Sequence, residues 1–234
     1  MNLAFDKGGQ GDDLLVLLHG LGANRDVWSA MLRDNRWMGS WMALDLRGHG
    51  ESAHASDYSL DAHAGDVAET VGTNWRAITV LGHSMGGAVG LRLAGEMHLT
   101  RVFGLGIKVA WNDDELAGLE RMASLPVKWF ATRDEAAARY LKVAGLEASE
   151  RPGIVQSAEG WRLAADPAAA RVGPPPMRAL IEAGKAPFHL ARGAADRMVT
   201  LAQLQVYDRE AIDIPDAGHN AMVDRPGEVW DWVL

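Results

Sequence analysis

The stretch that decides the fold is Ile78–Val89, which reads ITVLGHSMGGAV. Its first four residues are apolar or β-favouring and predict a short buried strand, and the residues from Gly87 onward predict a helix. Between them lies G-x-S-x-G, centred on Ser84, in the strand–turn–helix setting that this motif requires. Such a sharp turn strains the serine backbone, and glycine two positions before and after it avoids collisions with the strand and the helix. We therefore predict that Ser84 Oγ points away from the sheet and that the Met85 N–H lies at the positive end of a helix.

Strand-like and helix-like segments alternate on both sides of this motif. Leu14–Leu18 is a short, continuous apolar run, which is typical of a buried parallel strand. Further strands are predicted at 41–44, 101–109, 188–191 and 210–214. The predicted helices cover 25–33, 61–73 with Asp61 as N-cap, 87–97, 201–207 and 227–234. The alternation predicts an α/β protein with a mostly parallel sheet and helices on both of its faces.

The alternation breaks between residues 112 and 185. Helices are predicted at 114–123, 132–145 and 177–183, and the segment near Trp161 is assigned to the same helical block. The second helix begins at Thr132, whose capping box Glu135 completes. We therefore expect an α/β core formed by residues 1–111 and 186–234. Residues 112–185 are expected to form a helical cap, or lid, over the active-site face of that core.

Composition restricts the function classes. The 234 residues are 48% hydrophobic and 23% charged, with a net charge of −8, so we expect no nucleic-acid or anionic-membrane partner. The chain contains no cysteine, which excludes disulfides, a thiol nucleophile and thiolate metal sites. We find no signal-peptide pattern and no apolar stretch long enough to cross a bilayer. The sequence predicts a cytoplasmic protein with a small-molecule substrate, and leaves a homodimer open.

Three residues could together carry nucleophilic chemistry. A serine hydroxyl needs a base, and that base needs an orienting acid. His219 follows the predicted last strand and Asp196 follows the strand at 188–191, so both fall at strand ends like Ser84. Their order along the chain, Ser–Asp–His, is the one expected for a nucleophile on this turn. Either partner alone could be an ordinary loop residue, and weaker competitors for these roles are His83, Asp213 and Asp216.

Attack on a carbonyl also requires donors for the oxyanion that forms. The Met85 N–H is one candidate. The Leu21 N–H is the other, because it lies in the glycine-flanked loop that follows the strand at 14–18. The alternative interpretation of that loop is a tight turn at a strand end.

With these motifs the chain resembles the α/β-hydrolase superfamily, in particular its capped, cofactor-free branch of esterases, C–C hydrolases and perhydrolases. The motifs that carry the resemblance are His19-Gly20-Leu21-Gly22, Asp45–Ser52, Gly82–Gly87, Gly193–Asp196 and Gly218-His219. The resemblance implies an eight-stranded sheet, here with its first antiparallel hairpin shortened or partly absent. It also implies that the Asp45–Ser52 loop is structural, with no role in the chemistry.

Serine at the nucleophile position narrows the reaction. Haloalkane dehalogenases and epoxide hydrolases of this superfamily carry aspartate there, and dienelactone hydrolases carry cysteine. Ser84 favours an acyl-enzyme route, and hence a carboxylesterase-like serine hydrolase that needs no metal and no cofactor. The same triad could serve a C–C hydrolase or a perhydrolase. A non-catalytic ligand receptor built on the same fold is a further alternative.

The substrate pocket is expected to involve the cap. The candidate substrate-binding residues are Trp111, Trp129, Tyr140, Trp161 and Met198, with Met122 and Phe130 as further candidates. Ordinary core packing is the alternative for each of them. Such a lining favours a small apolar or aromatic acyl group. No cation is placed convincingly to bind a substrate carboxylate, although Arg133, Arg178 and Arg197 remain candidates.

Overall fold

A seven-stranded sheet forms the centre of the computed structural model, which describes residues 1–234. Its strands are β1 (Phe5–Gly9), β2 (Asp13–Leu18), β3 (Ser40–Leu44), β4 (Ala77–His83), β5 (Arg101–Leu105), β8 (Phe188–Gly193) and β9 (Ile212–Ile214). The spatial order is β1-β3-β2-β4-β5-β8-β9, and only β1 runs antiparallel to its neighbour. The predicted mostly parallel sheet is confirmed. In place of a first hairpin, the sheet has the single antiparallel edge strand β1.

Nine helices accompany the sheets. They are α1 (Ser29–Arg33), α2 (Leu60–Val71), α3 (Met85–Leu93), α4 (Asp113–Ala123), α5 (Arg133–Ala144), α6 (Met177–Ala183), α7 (Leu201–Leu204), α8 (Ala221–Asp224) and α9 (Pro226–Val233). Short 3-10 turns cover Arg25–Trp28 and Pro167–Val172. The N-cap of α2 is Ser59, whose side chain accepts from the Ala62 N–H, so the prediction of Asp61 as the cap was wrong by two residues. No helix is long and apolar enough to cross a membrane.

Strand β2 shows why the sheet is covered on both faces. Leu14–Leu18 are all fully buried, and successive side chains of a strand point to opposite faces. Leu14, Val16 and Leu18 accordingly pack into a cluster with residues of α2 and α3. Leu15 and Leu17 pack into a second cluster with residues of α1 and α9. A continuous apolar run is therefore what this central strand requires.

The segment 112–185 is inserted between β5 and β8. Helices α4 and α5 both begin with complete capping boxes, formed by Asn112 with Glu115 and by Thr132 with Glu135. The segment is not helical throughout, because β6 (Ile154–Ser157) and β7 (Gly160–Leu163) form an antiparallel hairpin. The expectation of a helix near Trp161 was therefore wrong. The hairpin forms because both strands contain β-favouring residues, and because Gly160, the first residue of β7, adopts φ +122° directly after the turn.

Parallel strands bring their carboxyl ends to one edge of the sheet. The loops after β2, β4, β5, β8 and β9 therefore emerge on the same side. This is the edge at which open α/β sheets bind ligands. All the residues predicted for the chemistry belong to these loops.

Candidate active site

The turn between β4 and α3 holds Ser84 in a strained backbone conformation, with φ 50° and ψ −114°. The two flanking glycines make this turn possible. A Cβ atom on Gly82 would lie 2.2 Å from the Gly86 carbonyl oxygen, and one on Gly86 would lie 2.3 Å from the Leu18 carbonyl oxygen. Both obstacles are backbone atoms, which cannot move aside cheaply. The predicted need for glycine at both positions is confirmed.

His219, in the loop after β9, contacts Asp196, in the loop after β8. The distance from His219 Nδ1 to Asp196 Oδ2 is 2.8 Å. Because a carboxylate only accepts hydrogen bonds, Nδ1 carries the proton and Nε2 is left with a free lone pair. The other carboxylate oxygen, Oδ1, accepts from the Met198 N–H at 2.7 Å. The buried Asp196 is thus held through both oxygens.

His83 braces the loop that carries His219. Its Nε2 donates to the His219 carbonyl oxygen at 2.9 Å, and the two rings meet edge to face with centroids 4.6 Å apart. Burial lowers the pKa of His83 well below its usual value, so the ring is neutral. Its Nδ1 has no hydrogen-bond partner and faces Gly20. His83 therefore has a structural contact, which agrees with its weaker candidacy for the role of general base.

Two backbone N–H groups near Ser84 are free to bind a ligand. The Leu21 N–H lies in the loop after β2, and the Met85 N–H lies at the first turn of α3, where helix N–H groups lack intrahelical partners. Neither donates a hydrogen bond to a protein acceptor. Both residues line the cavity that Ser84 and His219 also line. Because α3 starts at Met85, the positive end of its dipole adds to the attraction for an anion there.

Two buried histidines fasten the Leu21 loop to the loop after β3. His19 donates through Nδ1 to the Gly20 carbonyl at 2.8 Å and accepts through Nε2 from the Leu46 N–H at 2.9 Å. His49 accepts through Nε2 from the Gly22 N–H at 3.0 Å, and its Nδ1 donates to a backbone carbonyl. Burial lowers the pKa of His19 to about 4 and that of His49 to about 3, so both remain neutral acceptors. The family-like loop 45–52 therefore acts as the support of the Leu21 loop, a link that the sequence did not reveal.

A cavity of about 1380 Å³ opens above Ser84 and is walled largely by the inserted segment. Of the predicted substrate-binding residues, Trp111 and Met198 line it, as do Met122 and Phe130. Trp129, Tyr140 and Trp161 do not, and their prediction as wall residues was wrong.

The physical reasons differ among the three residues. Tyr140 is buried on the far side of α5, where its hydroxyl donates to Asn24 Oδ1 at 2.8 Å. The Trp161 backbone is engaged in β7 and in a bridge to Phe130. The ring of Trp129 faces the Arg162 guanidinium, whose central carbon lies 5.9 Å from the ring centroid.

The cations on the cavity wall also differ from the sequence candidates. Arg133, Arg178 and Arg197 do not line the cavity. The wall instead carries Lys108, Arg121, Lys128 and Arg139. Helical spacing could have indicated Arg121, because it lies three residues after Gly118 on the face of α4 that borders the cavity.

A second cavity, of about 590 Å³, lies beside loop 45–54, and two of its three arginines, Arg25 and Arg151, form ion pairs with aspartates. No group of three or more histidine, aspartate or glutamate side chains is gathered closely enough to hold a metal ion.

Comparison with known proteins identifies the family. The family model described as "Alpha/beta hydrolase family" matches residues 15–232, which is most of the chain. The chain belongs to the alpha/beta hydrolase family. Solved structures of this fold superimpose over nearly the whole alpha/beta hydrolase chain. The E-2-(acetamidomethylene)succinate hydrolase is 21% identical, with a TM-score of 0.81 and coverage of 99% of this chain and 93% of the other. The thioesterase domain from the curacin biosynthetic pathway is 16% identical, with a TM-score of 0.79 and coverage of 99% and 94%.

Curated relatives of this alpha/beta hydrolase match with higher identity, but over a smaller share of this chain or of their own length. The dihydrolipoyllysine-residue acetyltransferase component of the acetoin cleaving system of Pseudomonas putida is 28% identical over 96% of this chain. The matched region is 63% of that relative's length, so the chain spans less than two thirds of it. The pimeloyl-[acyl-carrier protein] methyl ester esterase of Neisseria meningitidis is 39% identical over 34% of this chain and 25% of its own length.

Proposed function

We propose that this protein is a serine hydrolase that cleaves carboxylic esters through an acyl-enzyme. Ser84 is the nucleophile, His219 the general base and Asp196 the acid that orients it. The observation that supports the proposal best is the 2.8 Å contact between His219 Nδ1 and Asp196 Oδ2. It leaves His219 Nε2 as a proton acceptor in the cavity that also exposes the strained Ser84.

The proposed reaction proceeds in two stages. His219 Nε2 takes the proton of Ser84 Oγ as the oxygen attacks the ester carbonyl, and the oxyanion accepts hydrogen bonds from the Leu21 and Met85 N–H groups. The intermediate collapses, the C–O bond to the alcohol breaks, and the alcohol leaves with the proton from His219. Water, deprotonated by His219, then attacks the acyl-enzyme and releases the acid and free Ser84. Every step uses side chains and N–H groups of this chain, with no metal or cofactor.

We propose further that residues 112–185 act as a cap that shapes the substrate pocket. Trp111 and Met198 form part of the proposed binding wall, which favours an apolar ester. Esterases and hydrolases among the relatives and structural neighbours support hydrolysis at a carbonyl centre in general terms. The substrates named for those proteins are not assigned to this chain.

The test is hydrolysis of 4-nitrophenyl esters, from acetate to octanoate, by the wild type and by Ser84→Ala. Circular dichroism of both proteins serves as the control for folding. We expect turnover by the wild type that is lost in Ser84→Ala, because no other hydroxyl occupies the turn. Turnover that persists in Ser84→Ala would refute the role of Ser84. A folded wild type that hydrolyses no ester would instead favour a C–C hydrolase, a perhydrolase or a non-catalytic receptor.

A further inference from the structure

The cavity above Ser84 is larger than a small ester requires. Its volume of about 1380 Å³ exceeds the roughly 300–1,000 Å³ of most ligand pockets. Much of its wall is apolar and comes from α4 and the chain that follows it. Met122, Leu125 and Val127 line it while remaining 42%, 55% and 44% exposed. Such open apolar surface fits a substrate with a sizeable apolar body.

The carboxylates on the cavity wall all have partners. Glu115 accepts from Lys108 Nζ at 2.6 Å. The Asp166 carboxylate accepts from the Tyr58 hydroxyl at 2.7 Å. The third carboxylate, of Asp224, accepts from a backbone N–H at 2.8 Å. Lys108 is the only one of the four wall cations that is engaged in such a pair.

The other three cations on the wall have no acidic partner. Arg121, Lys128 and Arg139 all line the cavity, and none forms an ion pair or donates a side-chain hydrogen bond to any protein group. Lys128 Nζ lies over the Phe130 ring, 5.1 Å from its centroid. Asp166 and Asp224 accept from neutral donors and keep their charge, so the four cations and three carboxylates of the wall give it a net charge of +1, although the chain as a whole carries −8.

We infer that the substrate is an amphiphilic ester, with an apolar body in the cavity and an anionic group held by Arg121, Lys128 and Arg139. This inference rests on the proposed function, since it names the substrate class of the same site. Guanidinium groups present forked donors that match an oxyanion such as a carboxylate. The three cations come from α4, from the chain after it and from α5. Three separate parts of the inserted segment thus contribute cations to the wall of one cavity.

The test compares two 4-nitrophenyl esters of equal length, the monoester of octanedioic acid and the neutral octanoate. The readout is the ratio of their kcat/KM values. We expect the wild type to prefer the anionic ester, and the triple variant Arg121→Gln, Lys128→Gln, Arg139→Gln to lower the ratio about ten-fold, since exposed charge pairs each contribute a few-fold. High salt should lower the wild-type ratio in the same direction. Arg133→Gln is the matched control, because Arg133 shares α5 with Arg139 but lies off the wall, and its ratio should equal that of the wild type.

An unchanged ratio in the triple variant, or an equal fall in the control, would overturn the inference. A separate binding measurement distinguishes this failure from failure of the proposed function. Calorimetry with octanedioate and octanoate, on the wild type and the triple variant, requires no turnover. If no ester is hydrolysed but octanedioate binds more tightly than octanoate only to the wild type, the anion site stands and the esterase proposal falls. If esters are hydrolysed without charge preference and neither acid binds more tightly, the esterase proposal stands and the anion site falls.

Discussion

The core edge around Ser84 and helix α4 of the inserted segment are packed in opposite ways. At the core edge, a single added carbon on Gly193 would lie 2.0 Å from the Gly218 carbonyl oxygen. In α4 of the insertion, an added carbon on Gly118 would meet nothing closer than 3.7 Å, and that atom is the end of the Arg121 side chain. The backbone of the core edge is tightly packed at this turn, whereas α4 leaves room for an added side chain. We propose a division of labour, in which the core sets the chemistry and the insertion sets which substrate fits.

The largest expected loss of activity follows from a change at Asp196, the buried carboxylate of the core edge. We expect Asp196→Asn to lower kcat for ester hydrolysis about 10⁴-fold, because an amide no longer fixes the Nδ1–H tautomer of His219. Asp216→Asn is the matched control, since Asp216 is exposed and pairs with Arg225, and it should retain activity within about two-fold. Comparable losses in both variants would show that the contact at His219 has no special role.

A pair of glycine substitutions tests the contrast in packing directly. Gly86→Ala should destabilise the protein by about 3 kcal/mol, because the added carbon meets rigid backbone. Gly118→Ala, within α4, should instead stabilise its helix by about 0.5–1 kcal/mol. Urea unfolding of both variants measures the two effects. Similar free energies of unfolding for the two would contradict the contrast.

The support of the Leu21 loop can be separated into its hydrogen bond and its packing. His49→Leu leaves the buried Gly22 N–H without an acceptor, which should cost about 1–3 kcal/mol, and it should slow ester hydrolysis about ten-fold or more. In His49→Gln the side-chain oxygen can replace Nε2 as the acceptor, so most of the stability and of kcat should return. Equal activity of the two variants would show that the hydrogen bond to Gly22 is not what positions the loop.

Acid should destabilise the core through its buried histidines, with His63 as the cleanest example. Both of its ring nitrogens lack partners, and burial lowers its pKa to about 3. Between pH 6.5 and that value the unfolded chain binds a proton that the folded chain does not. Stability is therefore complete above pH 6.5 and falls as the pH drops, by at most about 1.4 kcal/mol per unit for this residue.

His63→Leu should flatten this dependence and raise stability by about 2 kcal/mol at pH 5, with a smaller effect at pH 8. The exposed His98 provides the control, and His98→Gln should leave the slope as it is in the wild type. The free energy of urea unfolding between pH 8 and 4.5 gives both slopes. An unchanged slope in His63→Leu would show that His63 is not buried as a neutral ring.

The contrast between the regions also explains what the sequence could predict. The strand ends and the Ser84, Asp196 and His219 loops could be located because glycine requirements and apolar runs are local signals. The cavity wall could not, because it depends on which face of each inserted element borders the core. Tyr140 and Trp161 have the composition of pocket residues, yet a core hydrogen bond and a hairpin register direct them elsewhere.

The supporting histidines escaped prediction for a related reason. The bonds from His19 to Leu46 and from His49 to Gly22 connect residues 27 positions apart in sequence. Only the parallel pairing of β2 with β3 brings those two loops together. A sequence pattern marks such residues as part of a motif without showing which backbone group each one holds.

The most direct test of the central claim is covalent labelling by a serine-directed fluorophosphonate, followed by intact-mass and peptide mass spectrometry. The account predicts one adduct per chain, located on Ser84, and no adduct in folded Ser84→Ala. Labelling should also be much slower in Asp196→Asn, because His219 is then no longer held as a base. A folded wild type that takes up no label, or that carries it on another residue, would contradict the assignment of Ser84 as the nucleophile.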